Sequence, residues 1–259
     1  MTRHAASSSS IGDPRPARQS THSAWRQSMI AVVGPPGAGK TTVVRALAPH
    51  EDATVFRLRE AIRAYPDGLS GLPPSVDRLD WVSDEAVARV LDAAFLKHRF
   101  PAGSGPILLD NFPGTALQLR HLARIASALD RRVAILELRA DTVVLAARVA
   151  GRQVCPGCGA DPHAPAKSAA SDPTRCARCY GALQRRDTDT PHLHALRLAR
   201  YRSNQPKIAA VAVRLRIPRL VMDAGHPVPV VSRLARHFFA ILTDPASAHR
   251  APSDPGRRP

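Results

Sequence analysis

Residues 29–42 read Met29-Ile-Ala-Val-Val33-Gly34-Pro-Pro-Gly37-Ala-Gly39-Lys40-Thr41-Thr42, and this stretch decides the architecture. Five apolar residues in a row make a strand buried on both faces. The turn after them matches G-x-x-x-x-G-K-[ST] and opens a helix from about 39 to 48, stopped by Pro49. Glycines in the turn let successive N–H groups curl toward phosphate oxygens, and the helix N-terminus adds partial positive charge. Lys40 is placed to reach the β- and γ-phosphates, and a hydroxyl of Thr41 or Thr42 to hold Mg²⁺. Gly37, Ala38, Gly39, Lys40, Thr41 and Thr42 are therefore the expected ATP-binding residues.

Working outward, the chain alternates short apolar runs with helical patterns. Strands are expected at 107–110, 133–138 and 220–222. Helices are expected from 115 to about 129, from about 141 to 150, from 190 to about 201 and from 228 to 242. Thr115-Ala-Leu-Gln118 fits a capping box, and Thr190-Pro191 fits an N-cap followed by proline at the first helical position. Strands alternating with helices imply a three-layer α/β/α fold around a parallel sheet. Asp110 closes the apolar run Ile107-Leu-Leu, where a Walker-type acid that holds Mg²⁺ should sit.

The four cysteines fall between 155 and 179 as two Cys-x-x-Cys pairs, Cys155/Cys158 and Cys176/Cys179. Seventeen residues separate the pairs, a four-thiolate spacing that points to structural Zn²⁺ rather than to a disulfide framework. The intervening segment is rich in Pro, Ala and Ser and has too few apolar residues to build a core of its own.

Charge narrows the partners. The 37 basic and 21 acidic residues give +16 over 259 residues. Only four of the basic residues are lysines, so an arginine-biased composition explains much of the excess. What remains favours anionic ligands. Aromatics at 4% leave few stacking platforms, so nucleic-acid binding is not expected. No apolar run reaches the ~20 residues of a membrane helix, and the N-terminus lacks the apolar core of a signal peptide. A cytoplasmic monomer is expected. Residues 1–28 and 246–259, rich in Ser, Pro and Arg, are expected to be disordered basic tails around a domain spanning 29–245.

The ordered set GPPGAGKTT, LLDNFPGTALQLRHL, DTVVLAARVAGRQVCPGCG and CARCYGALQRRDTDTPHLHALRLARY resembles adenylate kinase and related nucleoside monophosphate kinases of the zinc-lid type. The resemblance runs over about 29–242. It implies a core, an acceptor-binding segment at 53–82 and a zinc lid at 152–188. It further implies that Arg148 and Arg152 enter the lid and Arg186 and Arg197 leave it, gathering around the transferred phosphoryl group. Lys40, Asp110, Arg148, Arg186 and Arg197 take the catalytic roles on this likeness. Arg148 and Arg152 also bind the donor, while Thr54, Arg59, Gln118, Arg186 and Arg197 hold the acceptor. One departure stands out. Where the family has Phe-Pro-Arg this chain has Phe112-Pro113-Gly114, and the arginine that grips the acceptor phosphate is missing. Arg57, Arg63 or Arg120 is then required to compensate, or the acceptor is another small molecule. A nucleotide-binding switch with reduced kinase activity is the third reading.

Overall fold

The computed structural model describes residues 27–49, 53–65, 79, 81–100, 105–158, 165–186 and 189–243, with side chains as far as 239. Along β1 (Ser28–Val33) every residue is buried, because alternate side chains enter two cores. Met29, Ala31 and Val33 belong to one, and Ile30 and Val32 to the other. Ser28, assigned above to the N-terminal tail, is fully buried and starts the strand; the rest of that expected tail, apart from Gln27, lies outside the described residues, as does 246–259.

The sheet strands are β1, β2 (Thr54–Phe56), β3 (Ile107–Asp110), β4 (Arg132–Arg139) and β7 (Arg219–Asp223). A separate two-stranded hairpin pairs β5 (Gln153–Val154) with β6 (Gln184–Arg185). The five-stranded sheet is parallel throughout, in the order β2-β3-β1-β4-β7. Asp110 stands beside Val32 and Glu137 beside Val33, so the carboxyl ends of three central strands converge. In an open parallel sheet ligands bind there, where the strand order reverses.

Helices α1 (Lys40–Leu47), α2 (Leu58–Ala64), α3 (Asp84–Leu91), α4 (Ala116–Ala128), α5 (Thr142–Ala150), α6 (Pro191–Arg214) and α7 (Val228–Thr243) cover the sheet. A π-helical turn over Asp92–Lys97 prolongs α3. Leu119, Leu122 and Ile125 of α4 and Val87, Val90 and Leu91 of α3 pack on one face of the sheet. Val43, Val44 and Leu47 of α1 join Val231, Ala235 and Phe239 of α7 on the other. Side chains of Ser83, Thr115, Asp141 and Thr190 accept first-turn N–H bonds. Thr- and Asp-capped starts of this kind are why the helix beginnings were legible.

One strand was not anticipated and one helix end changes. The three-residue β2 carries no alternation that marks it as a strand, and it forms because β3 offers it an edge. Helix α6 runs 13 residues past Tyr201, through Pro206 to Arg214. A proline removes one helical N–H, and Ile208, Val211 and Ala212 beyond it are buried against the α4 side of the core. Among the described residues no helix is long and apolar enough to cross a membrane.

Candidate active site

The turn between β1 and α1 lies at the mouth of the sheet. Gly37 and Gly39 have φ of +86° and +87°, the left-handed region that a side chain disfavours. A Cβ on Gly37 would also lie 2.7 Å from the Leu145 carbonyl oxygen of α5. No side chain caps α1, whose N-cap is Gly39, so its first N–H groups remain for an anion. Lys40 folds back, its Nζ donating to the carbonyls of Gly34 and Pro35 at 2.8 Å each. Burial lowers its pKa to about 8, with the Asp110 charge opposing and Arg152 reinforcing the shift.

Of the two candidate hydroxyls, Thr41 is the one that meets Asp110. Thr41 Oγ1 donates to Asp110 Oδ1 at 3.2 Å, and Arg57 Nε donates to Asp110 Oδ2 at 3.2 Å. This hydroxyl–carboxylate pair beside the phosphate turn suits hydrated Mg²⁺.

A cavity of about 650 Å³ opens from this point. It is lined by nine Lys or Arg side chains against the three carboxylates of Glu60, Asp110 and Glu137, among the described residues. Arg152 ties the start of the hairpin module to its end, with Nε 2.6 Å from Asp189 Oδ2 and a second contact from its other nitrogen to the same carboxylate. Among the described residues Arg186 Nε is buried without a partner. Burial lowers the pKa of Arg186, and the nearby charges of Arg152, Arg197 and Arg59 push the same way against Asp189. Five of the site residues read from sequence, Lys40, Arg59, Arg152, Arg186 and Arg197, thus line one electropositive chamber.

Arg148 also lines the cavity, but its guanidinium is engaged by backbone. It donates to the carbonyls of Ala224 at 2.7 Å, His226 at 3.2 Å and Gly225 at 3.4 Å. In this conformation it fastens the end of α5 to the loop after β7.

The acceptor side departs from expectation. Thr54 pairs with Ile107 at the far end of β2 and does not line the cavity; the residue that reaches the carboxyl end of that strand is Arg57. Gln118 lines the cavity with both ends of its amide engaged: Oε1 accepts from Gly114 N at 2.7 Å, and Nε2 donates to Asp84 Oδ1 at 2.9 Å. The second half of the capping box therefore closes on Gly114 rather than on Thr115. Position 114 is more than a lost arginine. A Cβ there would lie 2.5 Å from Trp81 Cη2 and 2.7 Å from its Cζ2. Trp81 lies against the glycine, and Arg200 stands over its ring at 5.0 Å. Trp81 and Arg200 are cavity residues whose roles the sequence reading did not assign, and Arg57 was named there as one of three candidates to compensate for the missing arginine. The available signal was complementarity: a small residue replacing a large one, and one of only two tryptophans nearby in the fold.

In the hairpin module the four cysteine Sγ atoms all lie within 4.8 Å of one another. Cys155 and Cys179 are 3.4 Å apart, and Cys158 and Cys176 3.8 Å. Thiolates 2.3 Å from a tetrahedral zinc are about 3.8 Å apart, so the set is compatible with Zn²⁺. The Arg178 N–H points at Cys176 Sγ from 3.4 Å, the kind of outer contact that steadies a thiolate ligand.

Phosphate turn, strand-end acid and parallel sheet together define a P-loop protein of the kinase type. A family profile described as an AAA domain matches residues 29–164. The chain is 30% identical over 178 residues to the adenylate kinase of Paracoccus denitrificans, covering 66% of this chain and 79% of that one. It is 33% identical over 180 residues to the adenylate kinase of Salinispora tropica (66% and 80%), and 32% over 180 residues to that of a Geobacillus species (65% and 79%). The chain belongs to the adenylate kinase family.

Proposed function

We propose that this protein transfers the γ-phosphoryl group of ATP to a nucleoside monophosphate, with AMP the first acceptor to test, giving ADP and a nucleoside diphosphate. The observation that carries the reading is the convergence of Lys40 with Arg59, Arg152, Arg186 and Arg197 on one cavity beside the phosphate turn. Donors fixed in advance on a phosphoryl group whose charge spreads over its oxygens stabilise the transition state without reorganisation.

In this scheme residues 29–245 form the catalytic domain, with 53–82 receiving the acceptor and 152–188 closing over the donor. The turn's N–H groups and Lys40 hold the triphosphate. Thr41 and Asp110 would hold hydrated Mg²⁺, which when bound would supply charge neutralisation to the triphosphate. An oxygen of the acceptor phosphate attacks the γ-phosphorus as the bond to the ADP oxygen breaks. No general base is needed, because that oxygen is already anionic. Arg152, Arg186 and Arg197 neutralise the transferred group while the module excludes water. Zn²⁺ on the four cysteines holds the module in shape.

The test is ADP formation from Mg-ATP with AMP, GMP, CMP and UMP, against a no-acceptor control. Acceptor-dependent turnover supports the reading, and turnover indifferent to every monophosphate rejects it. A second reading, transfer to another small molecule, is favoured by the side chain of Trp81 against Gly114 and by the engaged amide of Gln118.

A further inference from the structure

A monophosphate acceptor brings its own negative charge to a side of the cavity where the family's arginine is gone. Its return would require Trp81 to move: even a methyl group at 114 would meet the indole at 2.5 Å. The compensating cation must come from another element. Arg120 projects from the exposed face of α4 and does not line the cavity. Arg63, on the last turn of α2, lines the cavity but is exposed. Arg57 differs from both. It follows β2 directly, as the N-cap of α2, and is held from two sides, Nε to Asp110 Oδ2 and Nη1 to Glu60 Oε1, each at 3.2 Å. Its side chain is 23% exposed and lines the cavity. Among the described residues its remaining terminal nitrogen, Nη2, has no protein partner.

The far oxygen of the same Asp110 carboxylate accepts from Thr41, on the donor side. One carboxylate therefore separates the hydroxyl of the phosphate turn from the Arg57 guanidinium.

Resting on the functional reading above, we propose that Arg57 is the acceptor-phosphate ligand of this protein, replacing from the N-cap of α2 the side chain that Gly114 lacks. Two acids fix the guanidinium in advance, so little rotamer freedom is lost when it binds. Its planar fork suits a phosphate better than an ammonium would.

Calorimetric titration of the full chain with AMP, GMP, CMP and UMP, and separately with ATP, tests this on the wild type, Arg57→Gln and Arg57→Lys. Arg57→Gln should weaken binding of the preferred monophosphate by about 10- to 100-fold, the loss of a charge-assisted contact, and leave ATP within about threefold. Arg57→Lys, which keeps the charge and gives up the fork, should fall between. The KM for the acceptor should rise with little change in the KM for ATP. Unchanged monophosphate affinity in a folded Arg57→Gln protein, or an equal loss of ATP affinity, overturns the assignment and makes Arg57 a partner of Asp110 alone. A wild type that binds no monophosphate at all instead rejects the functional reading, and this assignment with it.

Discussion

The donor and acceptor halves of the cavity are built by different rules. On the donor side each part is local: β1, six turn residues and the first turn of α1 form one continuous segment, and Asp110 stands in the adjacent strand in register with Val32. On the acceptor side Arg57, Trp81, the Gly114–Gln118 turn and Arg200 come from four separate places in the chain. Geometry written into contiguous backbone tolerates little drift. Geometry assembled from distant side chains can exchange one arginine for another as long as charge and volume still match. The contrast teaches that conservation of chemistry and conservation of position are separate questions at this site.

Removing the donor-side charge is the strongest way to test the contrast. Lys40→Ala should lower kcat/KM on the order of 10²- to 10³-fold with any acceptor, the scale of losing one fixed electrostatic donor; a variant retaining half of the wild-type rate ends the phosphate-turn assignment. On the other side, Gly114→Arg should damage rather than repair. Overpacking against Trp81 costs roughly 1–3 kcal/mol, read as a fall in Tm and in acceptor affinity, and Trp81→Ala in the same chain should relieve it. If Gly114→Arg alone improves turnover, the acceptor half lacks only an arginine and the comparison fails.

A pH series sharpens the donor half. The pKa of Lys40 is lowered to about 8, and its ammonium is the form that binds phosphate. That charge is present below pH 8 and lost as pH rises through it. Apparent ATP affinity should fall about tenfold between pH 7 and pH 9, and a flat profile by calorimetry would remove Lys40 from the contact. The smallest differential effect belongs to the hairpin module, which serves both halves. Cys155→Ser should take zinc from one per chain toward none and lower Tm, shifting donor and acceptor constants alike. Unchanged zinc stoichiometry by metal analysis contradicts the four-cysteine site.

Legibility followed the same division. The phosphate turn, Asp110 and the cysteine spacing could be read because ligands at fixed intervals imply one local geometry. Helix starts were readable at Thr115, Asp141 and Thr190, whose side chains accept first-turn N–H bonds. Thr54 was placed at the acceptor by the family resemblance alone, and the three-residue β2 has too little periodicity to show which end faces the cavity, which Thr54 does not line. The length of α6 was cut short because Pro206 is a breaker by local rule, whereas burial of Ile208, Val211 and Ala212 decides the matter at long range. Gly114 read as a loss because Trp81 is 33 positions away in sequence and in contact only after folding.

The imbalance of nine cationic side chains over three carboxylates in a single chamber has a consequence in solution. Such a chamber works as a small ion exchanger. Without nucleotide its charge is offset by buffer anions, and an arriving polyphosphate must displace them. Sulfate and inorganic phosphate then compete for the same counter-charges as substrate. Binding of a polyphosphate should therefore weaken as the salt concentration rises.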